Sequence, residues 1–359
     1  MQENRSYQVI GGIKVIRLHG SWHGMGRQYG TAAAEELHEV YAYILGKLDN
    51  DKSRTLKYDD IAAKLFANYP DYLKEFLEGE SETSGLGRDE LIRVNALEYA
   101  EAAFFCSGLA LWGPYTADGE LIYGRNYDAF SYAELSRDIV VTAFHPDDGS
   151  IPTAIIGYAG ELYAVNALNA KGIFIELNNG MPSAGWDIHY EMRPSTCDLL
   201  SLALSAGTME EVDSFFCSNE SFASFIIGVA DRNEARVYEW CTDGFRRADH
   251  LTPEGLAVLT NHYVHPDWPY PVPTDAQSWN SHIRRDNILR QAGTLRGRAC
   301  AGDVAGIMQT PIDGGGPMHE ATRYQMVVEP ATLTLSIRIA PCSTSKASWI
   351  RLEMSEFLR

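Results

Sequence analysis

The sequence predicts an α+β protein in which packed β-sheets are covered by helices. Three observations indicate this class. The first 105 residues have mostly helical patterns, and the residues after Cys106 form short β-rich segments separated by Asp-Gly and Lys-Gly turns. The helices of the second part come in pairs, which favours sheets covered on their outer faces over repeated βαβ units.

The front part begins with a predicted strand at residues 8–19 and a glycine-rich turn, GSWHGMGRQYG. A helix capped by Thr31 follows, and further helices are predicted at 59–69, 71–80 and 88–103. The helix that follows Thr31 would bury one face, which is formed by Leu37, Val40, Tyr41, Ile44 and Leu48. The glycines of the turn are spaced one residue too widely for a dinucleotide-binding motif, and no parallel-sheet pattern follows, so no nucleotide site is expected.

The second part is predicted to be rich in strands. The segments, in order, are strands at 107–111, 121–125, 139–144, 153–158, 162–166 and 173–177, helices at 195–206 and 209–216, strands at 224–230, 235–241 and 256–260, a helix at 278–291, and a closing hairpin of 324–328 with 332–339. Asp118-Gly119, Asp148-Gly149 and Lys171-Gly172 supply the turns between the early strands.

Composition excludes several classes of function. The 359 residues are 45% hydrophobic, which is enough for a large core, and the net charge of −18 argues against a nucleic-acid partner. The sequence contains no run of about 18 apolar residues, so no membrane span is expected. No signal peptide is visible, which favours a cytoplasmic protein, or a secreted or periplasmic one if the sequence starts after a removed signal. The oligomeric state, a homo-oligomer included, stays open.

Cysteines and histidines give no pattern typical of a metal site. The six cysteines, Cys342 among them, are widely spread without a C-x-x-C pair, so most are expected to be core thiols. His262 and His265 lie three residues apart in a Pro- and Tyr-rich loop without a matching carboxylate motif. We therefore expect no metal and no cofactor, and a metal hydrolase using these histidines is a minor alternative.

The stretch around Cys106 has the residues that a thiol nucleophile needs. A helical region is predicted to end at Phe105, and the Asp118-Gly119 hairpin would return Arg125 and Asp128 to the cysteine. A cation favours thiolate over thiol, and a carboxylate can hold a free α-amine. An α-amine, with a reference pKa of about 7.7–8.0, can act as general base for an N-terminal nucleophile. An ordinary salt bridge across the hairpin is the alternative.

Two motifs carry a resemblance to a known group of enzymes. CSGLALWGPYTADGELIYGRNYD resembles the start of the mature chain of choloylglycine hydrolases and penicillin V acylases, and LHGSWHGMGRQYGTAAAEEL is similar to the opening of the acyl-CoA:6-aminopenicillanate acyltransferase group. The resemblance implies an N-terminal-nucleophile hydrolase with a four-layer αββα fold. It implies a helical pro-segment, residues 1–105, packed on a catalytic domain, residues 106–359, and self-cleavage between Phe105 and Cys106.

The resemblance also implies roles for individual residues. Cys106 corresponds to the nucleophile, and Arg125 and Asp128 to the pair that tunes the thiol and holds the freed amine. The reaction implied is hydrolysis of a linear, non-peptide amide bond in a small N-acyl substrate, without a cofactor. Acyl transfer to an amine is an alternative, as is an uncleaved, non-catalytic binding protein of the same fold. Hydrolysis is favoured because no coenzyme A site is visible.

Later segments extend the predicted site. NAKGIFIELNNG corresponds to a segment ending in an oxyanion or substrate contact, which is Asn179, or Asn178 if the register slips. GLAVLTNHY makes Asn261 a side-chain donor to the oxyanion, and EATRYQMVVE makes Arg323 a late active-site arginine. The asparagines are alternatively turn residues, and Arg323 a surface cation at a strand start.

The substrate pocket is predicted only in outline. Aromatic side chains near the motif suggest an apolar acyl pocket formed by Trp112, Tyr115, Phe130 and Tyr132. One feature departs from the group that the motif resembles. Phe104 and Phe105 precede the cysteine where relatives have small or polar residues more often, and these two bulky rings could slow self-cleavage.

Overall fold

A computed structural model describes residues 6–101, 104–339 and 347–359, so Cys342 lies outside the described residues. Within these ranges, the front part contains two strands followed by six helices. They are β1 (Tyr7–Ile10), β2 (Ile13–Gly20), α1 (Trp22–Ala32), α2 (Ala34–Leu48), α3 (Lys52–Ala67), α4 (Asp71–Ser81), α5 (Arg88–Asn95) and α6 (Leu97–Glu101).

The second part alternates between groups of strands and pairs of helices, as predicted. Its elements are β3 (Phe104–Leu111), β4 (Ile122–Ala129), β5 (Ile139–Pro146), β6 (Thr153–Tyr158), β7 (Asn166–Asn169), β8 (Phe174–Asn179), α7 (Met181–Ala184), α8 (Ser195–Ser205), α9 (Met209–Ser218), β9 (Phe225–Ala230), β10 (Ala235–Cys241), β11 (Gly244–Arg247), β12 (Leu256–Leu259), α10 (Ser281–Gly293), α11 (Ala301–Gln309), β13 (Thr322–Glu329), β14 (Thr334–Ile339) and β15 (Ile350–Glu353).

Two sheets lie face to face between two layers of helices. One has nine strands in the order β1-β2-β5-β6-β7-β8-β9-β10-β11, and the other has six in the order β12-β3-β4-β13-β14-β15. Tyr123 on β4 packs against Phe174 on β8 across the interface, with ring centroids 4.9 Å apart. Helices α1 and α8 cover the larger sheet, and α10 and α11 cover the smaller one. The predicted α+β class with four αββα layers is confirmed.

The front part shares a sheet with the rest of the chain. Strand β2 pairs in parallel with β5 over the segment from Lys14 to Gly20, and β1 pairs with β2 at the edge. The remaining strand pairs are antiparallel among the described residues. The described residues of the front part are therefore joined to the second part by main-chain hydrogen bonds as well as by helix packing.

The predicted glycine-rich turn is wrong, because this segment forms helix α1. Ser21 caps the helix by accepting a hydrogen bond from Gly24 N, and Thr31, the predicted cap, lies inside it. The glycines allow α1 and α4 to touch through their backbones. A Cβ on Gly26 would lie 1.9 Å from the Phe76 carbonyl oxygen, and one on Gly79 would lie 2.0 Å from the His23 carbonyl oxygen. Close helix packing, rather than a turn, explains these glycines.

The other predicted boundaries differ in smaller ways. The predicted buried face of α2 is confirmed for Leu37, Val40, Ile44 and Leu48. The predicted strand 162–166 is wrong. The strand in this region is β7, which begins only at Asn166, the last residue of the predicted range. Strand β3 begins two residues before Cys106, because the aromatic pair before the cysteine favours extended backbone and joins the ladder with β4.

Candidate active site

The hairpin of β3 and β4 places Arg125 beside Cys106. Arg125 pairs in register with Gly108, which lies two residues from Cys106 on the same face of β3. The missing side chain at Gly108 leaves room there, because a Cβ would lie 2.6 Å from Glu176 Oε1. Arg125 Nη2 donates to Cys106 Sγ over 3.2 Å and to the Leu177 carbonyl oxygen over 2.9 Å. Arg125 therefore contacts the Cys106 sulfur between the two sheets.

Burial outweighs the arginine in setting the state of the thiol. Cys106, Arg125 and Glu176 are all fully buried, and Arg125 Nη1 lies 3.6 Å from Glu176 Oε1. Burial raises the pKa of Cys106 to about 12, and Arg125 opposes this rise. Burial likewise raises the pKa of Glu176 to about 7 against the pull of Arg125. In the uncut chain the sulfur is consequently a thiol, although Arg125 acts in the predicted direction.

The main chain of Cys106 is held on both sides. Its N–H donates to Asn261 Oδ1 over 3.0 Å, and its carbonyl oxygen accepts from Arg284 Nη1 over 2.6 Å. Arg284 also donates to Ser107 Oγ and, through Nη2 over 2.7 Å, to the same Asn261 oxygen. The Asn261 contact thus holds the nitrogen of the proposed scissile bond, and the Arg284 contact holds the peptide that follows it.

Asn261 contacts the site through its amide oxygen, whereas the sequence predicted that its amide nitrogen would do so as a donor. Its Oδ1 accepts from Cys106 N and Arg284, while its Nδ2 donates to the Asn179 carbonyl oxygen over 2.8 Å. Both partners of Oδ1 are donors, so this orientation of the amide follows from its surroundings. As an oxyanion donor, Asn261 would first have to release Asn179.

Asp128 has an oxygen atom without a partner next to the proposed scissile bond. Asp128 pairs in register with Phe105, and its Oδ1 accepts from Thr322 Oγ1 over 2.5 Å. Its Oδ2 is buried, accepts no hydrogen bond from the described residues, and lies 3.9 Å from Arg284 Nη1. Burial raises the pKa of Asp128, and Arg284 opposes this. A buried acceptor without a donor can take up a proton or an amine.

The two candidate asparagines of β8 face different ways. Asn178 shares a face with Glu176 and donates through Nδ2 to the Thr260 carbonyl oxygen over 3.2 Å. Its buried Oδ1 has no hydrogen-bond partner in the part of the chain that the structure describes. Asn179 accepts from Met181 N through its side chain and contacts the site through its main-chain oxygen. Asn178 Nδ2 is therefore engaged by Thr260 in the uncut chain.

Arg323 contacts the segment after β4, and a different arginine contacts Cys106. Arg323 Nε donates to the carbonyl oxygens of Ala129 and Ser131, so it secures the segment after β4. Arg284, on α10, is the late arginine that contacts Cys106. Sequence reasoning missed Arg284 because SHIRRD is an ordinary helical pattern, and only the fold shows which arginine is buried.

Two of the four predicted pocket aromatics lie far from Cys106, and this part of the prediction is wrong. Tyr115 packs in the core between the smaller sheet and its helices, and Trp112 follows the far end of β3. At about 3.3 Å per residue, Trp112 is about 20 Å from Cys106 along the strand. Tyr132 is buried and donates to the Leu97 carbonyl oxygen. Phe130 contacts Phe105, with ring centroids 5.0 Å apart.

The histidines have structural partners. His262 stacks on His282 with ring centroids 3.8 Å apart, and its Nδ1 lies 2.7 Å from Ser281 Oγ. Burial lowers the pKa of His262 to about 3. Within residues 6–101, 104–339 and 347–359, no three His, Cys, Asp or Glu side chains converge as metal ligands. Among the described helices, none is both long and apolar enough to cross a membrane.

Comparisons with known proteins give matches in structure. No family model and no curated protein matches the sequence. The structure is similar to that of a Caenorhabditis elegans N-acylethanolamine-hydrolyzing acid amidase ortholog, with a TM-score of 0.49 and 16% identity over 63% of this chain and 93% of that one.

Two bacterial proteins are also similar. A mutant of conjugated bile acid hydrolase from Clostridium perfringens matches with a TM-score of 0.47 and 13% identity, over 70% of this chain and 93% of that one. Penicillin V acylase from Agrobacterium tumefaciens matches with a TM-score of 0.42 and 10% identity, over 70% of this chain and 87% of that one. These solved structures carry names from the group of enzymes that the motif at Cys106 resembles.

Proposed function

We propose that the chain is a precursor that cuts itself between Phe105 and Cys106 and then hydrolyses the amide bond of a small N-acyl substrate. One arrangement supports this most. A buried sulfur accepts a hydrogen bond from Arg125, while Asn261 and Arg284 hold the amide and carbonyl groups of the same residue. Buried arginines are costly to place, so a plain core thiol gives no reason for two of them.

Self-cleavage begins with attack of Cys106 Sγ on the carbonyl carbon of Phe105. The C–N bond breaks, the thiol proton ends on the departing nitrogen, and a thioester joins Phe105 to the sulfur. Water then hydrolyses the thioester, leaving a carboxylate on Phe105 and a thiol and an α-amine on Cys106. Asp128 Oδ2, which accepts no hydrogen bond from the described residues and has a raised pKa, would pass the proton to the departing nitrogen.

Turnover would reuse the same contacts with the freed amine. Asn261 Oδ1, which now accepts from Cys106 N, would hold the amine together with Asp128. With a reference pKa of about 7.7–8.0, the amine can take the thiol proton near neutral pH. The thiolate, stabilised by Arg125, attacks the substrate carbonyl, the amine product leaves, and water releases the acyl group.

The oxyanion needs donors that the uncut chain uses elsewhere. Candidate donors are the side-chain amides of Asn178, Asn179 and Asn261, each worth roughly 2.7–4 kcal/mol of barrier if correctly placed. Asn261 Nδ2 and Asn178 Nδ2 donate to the carbonyl oxygens of Asn179 and Thr260. We propose that cleavage frees at least one of these donors. Acyl transfer to an amine would use the same acyl-enzyme and differ only in its acceptor.

One observation favours a second candidate, an uncleaved binding protein of the same fold. Phe104 and Phe105 continue β3 into the ladder with β4, and Cys106 N is a peptide nitrogen within that strand. Without the free amine, this site lacks the base that the mechanism requires, and the pKa of Cys106 stays near 12.

An amide panel separates the two candidates. We expect the wild type to release amine from at least one N-acyl amide and Cys106→Ala to release none. Cys197→Ala, which removes another fully buried thiol, is the matched control and should retain activity. Equal rates in wild type and Cys106→Ala would remove Cys106 from the mechanism.

A further inference from the structure

The ring of Phe105 fills an aromatic box at the surface beside the proposed active site. The box consists of Phe130, Trp279 and His319. Their ring centroids lie 5.0, 4.0 and 6.2 Å from that of Phe105. Phe105 itself is 1% exposed, whereas Phe130 is 50% exposed and the other two walls are partly exposed. Removing the Phe105 ring would therefore open a slot that reaches solvent.

Each wall of the box is attached to the proposed active site. The carbonyl oxygen of Trp279 accepts from Arg284 Nε over 3.1 Å, and Arg284 also holds Cys106. Trp279 adopts a left-handed backbone conformation, with φ of 53°, which is costly for a bulky residue. The contact with Arg284 gives one reason why this conformation persists.

The other two walls are held in a similar way. His319 N donates to Thr322 Oγ1, and the same hydroxyl donates to Asp128. The carbonyl oxygen of Phe130 accepts from Arg323 Nη2 over 3.3 Å. Arg323, which the sequence assigned to the active site itself, thus positions one wall of the box.

The chain offers a model of its own acyl group. In the proposed self-cleavage, the carbonyl of Phe105 is the acyl group transferred to Cys106 Sγ. From that carbonyl carbon, the path runs through Cα and Cβ to the ring, which is the skeleton of a 3-phenylpropanoyl group. A substrate carbonyl attacked by the same sulfur from the same position would project a ring at this distance into the box.

We propose that the aromatic box is the acyl subsite of the mature protein and that it selects 3-arylpropanoyl amides. This proposal rests on the proposed function and assigns its acyl group. The three walls present faces and edges, with interplanar angles to Phe105 of 31°, 67° and 68°. Aromatic pairs prefer such geometries, so a ring gains contacts that an aliphatic chain of equal length does not.

The kinetic test compares two p-nitroanilides with the same leaving group. Wild type should hydrolyse the 3-phenylpropanoyl compound with a kcat/KM about tenfold above that for the hexanoyl compound. Trp279→Leu should lower kcat/KM for the aryl substrate about tenfold and that for the hexanoyl substrate less than about threefold. Trp186→Leu is the control and should keep the preference, since Trp186 is an exposed ring that contacts Trp279 and is not one of the three walls. Equal kcat/KM values in wild type, or an unchanged preference in Trp279→Leu, would overturn the proposal.

A binding test decides the matter without turnover. In Cys106→Ala the chain stays uncut and Phe105 fills the box, whereas Phe105→Ala in that background vacates it. We expect 3-phenylpropanamide to bind the double variant saturably and hexanamide to bind at least about tenfold more weakly. Cys106→Ala alone should bind neither. If the double variant binds the two amides with equal affinity, or binds neither, the proposal that the box is an aryl subsite is wrong.

Folding and the underlying function are controlled separately. Circular dichroism checks that the double variant is folded, and Phe105→Leu replaces Phe105→Ala if it is not, because the smaller change leaves less cavity. If no amide of the panel is hydrolysed but the double variant binds the aryl amide, the proposed function fails and the box stands as a binding site for aryl groups. If both anilides are hydrolysed equally, the function stands and the box fails.

Discussion

Cys106 and Cys197 are both fully buried, and they differ in what surrounds them. Burial raises the pKa of each thiol, to about 12 for Cys106 and well above its ordinary value for Cys197. Arg125 donates to the sulfur of Cys106, whereas the largest charge effect on Cys197 comes from Asp198, which raises its pKa further against the opposing effect of Arg193. Burial therefore does not distinguish the proposed nucleophile from a core thiol. The charged groups placed around the sulfur do, and they are costly enough to need a reason.

Alkylation tests this comparison with the largest expected effect. Cys106 should resist iodoacetamide in the uncut chain, because its pKa of about 12 leaves almost no thiolate. Cleavage should accelerate its alkylation by roughly 10³-fold, as the freed amine and solvent return its pKa towards or below about 8.5. Cys197 should stay unreactive in both states, and the exposed Cys217 and Cys300 should react in both. Equal rates at Cys106 before and after cleavage would contradict the account.

The charge pair beside Cys106 offers the next largest effect. Arg125→Met leaves Glu176 buried without its cation, which we expect to lower the free energy of unfolding by about 3–5 kcal/mol. Adding Glu176→Gln should restore most of this stability, as measured by urea denaturation. Self-cleavage should stay blocked in both variants. A double variant that regains stability and also cuts itself would assign Arg125 a purely structural role.

Arg284 separates geometry from charge. Lysine keeps the charge at this position but cannot contact Cys106 O, Ser107 Oγ and Asn261 Oδ1 together. We expect Arg284→Lys to slow self-cleavage roughly ten- to a hundredfold, the equivalent of one lost hydrogen bond to a charged group. Arg285→Lys is the matched control, because the opposite charges acting on Arg285 are Asp286 and Glu239. Similar cleavage rates in the two variants would argue against a role for Arg284.

The local part of the site is the part that the sequence predicted. Cys106, Arg125 and Asp128 belong to one hairpin, so an Asp-Gly turn suffices to bring their backbones together. Alternation then places Arg125 on the same face as the sulfur, and Asp128 on the face of Phe105. Arg284 is 178 residues away from Cys106 along the chain, and no local pattern separates it from a surface arginine. Asn261 was found through its motif, although its orientation depends on partners from two other segments.

Packing decided the features that the sequence misjudged. The glycines of α1 resemble a turn in sequence, and only the approach of α4 explains them. Trp112 and Tyr115 are near Cys106 in sequence, but an extended strand carries them to the far end of the sheet. Phe105 was taken as an obstacle to cleavage, and the structure places its ring in a box formed by residues from three distant segments.

A smaller effect concerns pH and the helix that precedes the cysteine. Glu98 on α6 accepts a hydrogen bond from Tyr127, and burial raises its pKa to about 7, with Arg125 opposing the rise. The folded state thus keeps a proton that the unfolded chain releases above about pH 4.3. The protonated Glu98 side chain therefore contributes fully to the stability of the folded state below about pH 4.3, and this contribution is lost as the pH rises to about 7.

Glu98→Gln removes this titration. The free energy of unfolding of the wild type, relative to that of Glu98→Gln, should fall between about pH 4.3 and 7 and then level off. Urea denaturation across this range measures the difference. Parallel stability curves for the two proteins would show that Glu98 does not titrate as described.

The central claim is that Cys106 cuts the chain before itself, and a denaturing mass measurement of the purified protein tests it most directly. The account predicts two fragments, one ending at Phe105 and one whose N-terminal sequence is Cys-Ser-Gly, for wild type and for Cys197→Ala. Cys106→Ala should give a single uncut chain of about 39.9 kDa. A wild-type protein that stays intact after prolonged incubation from pH 4 to 8 would contradict the claim.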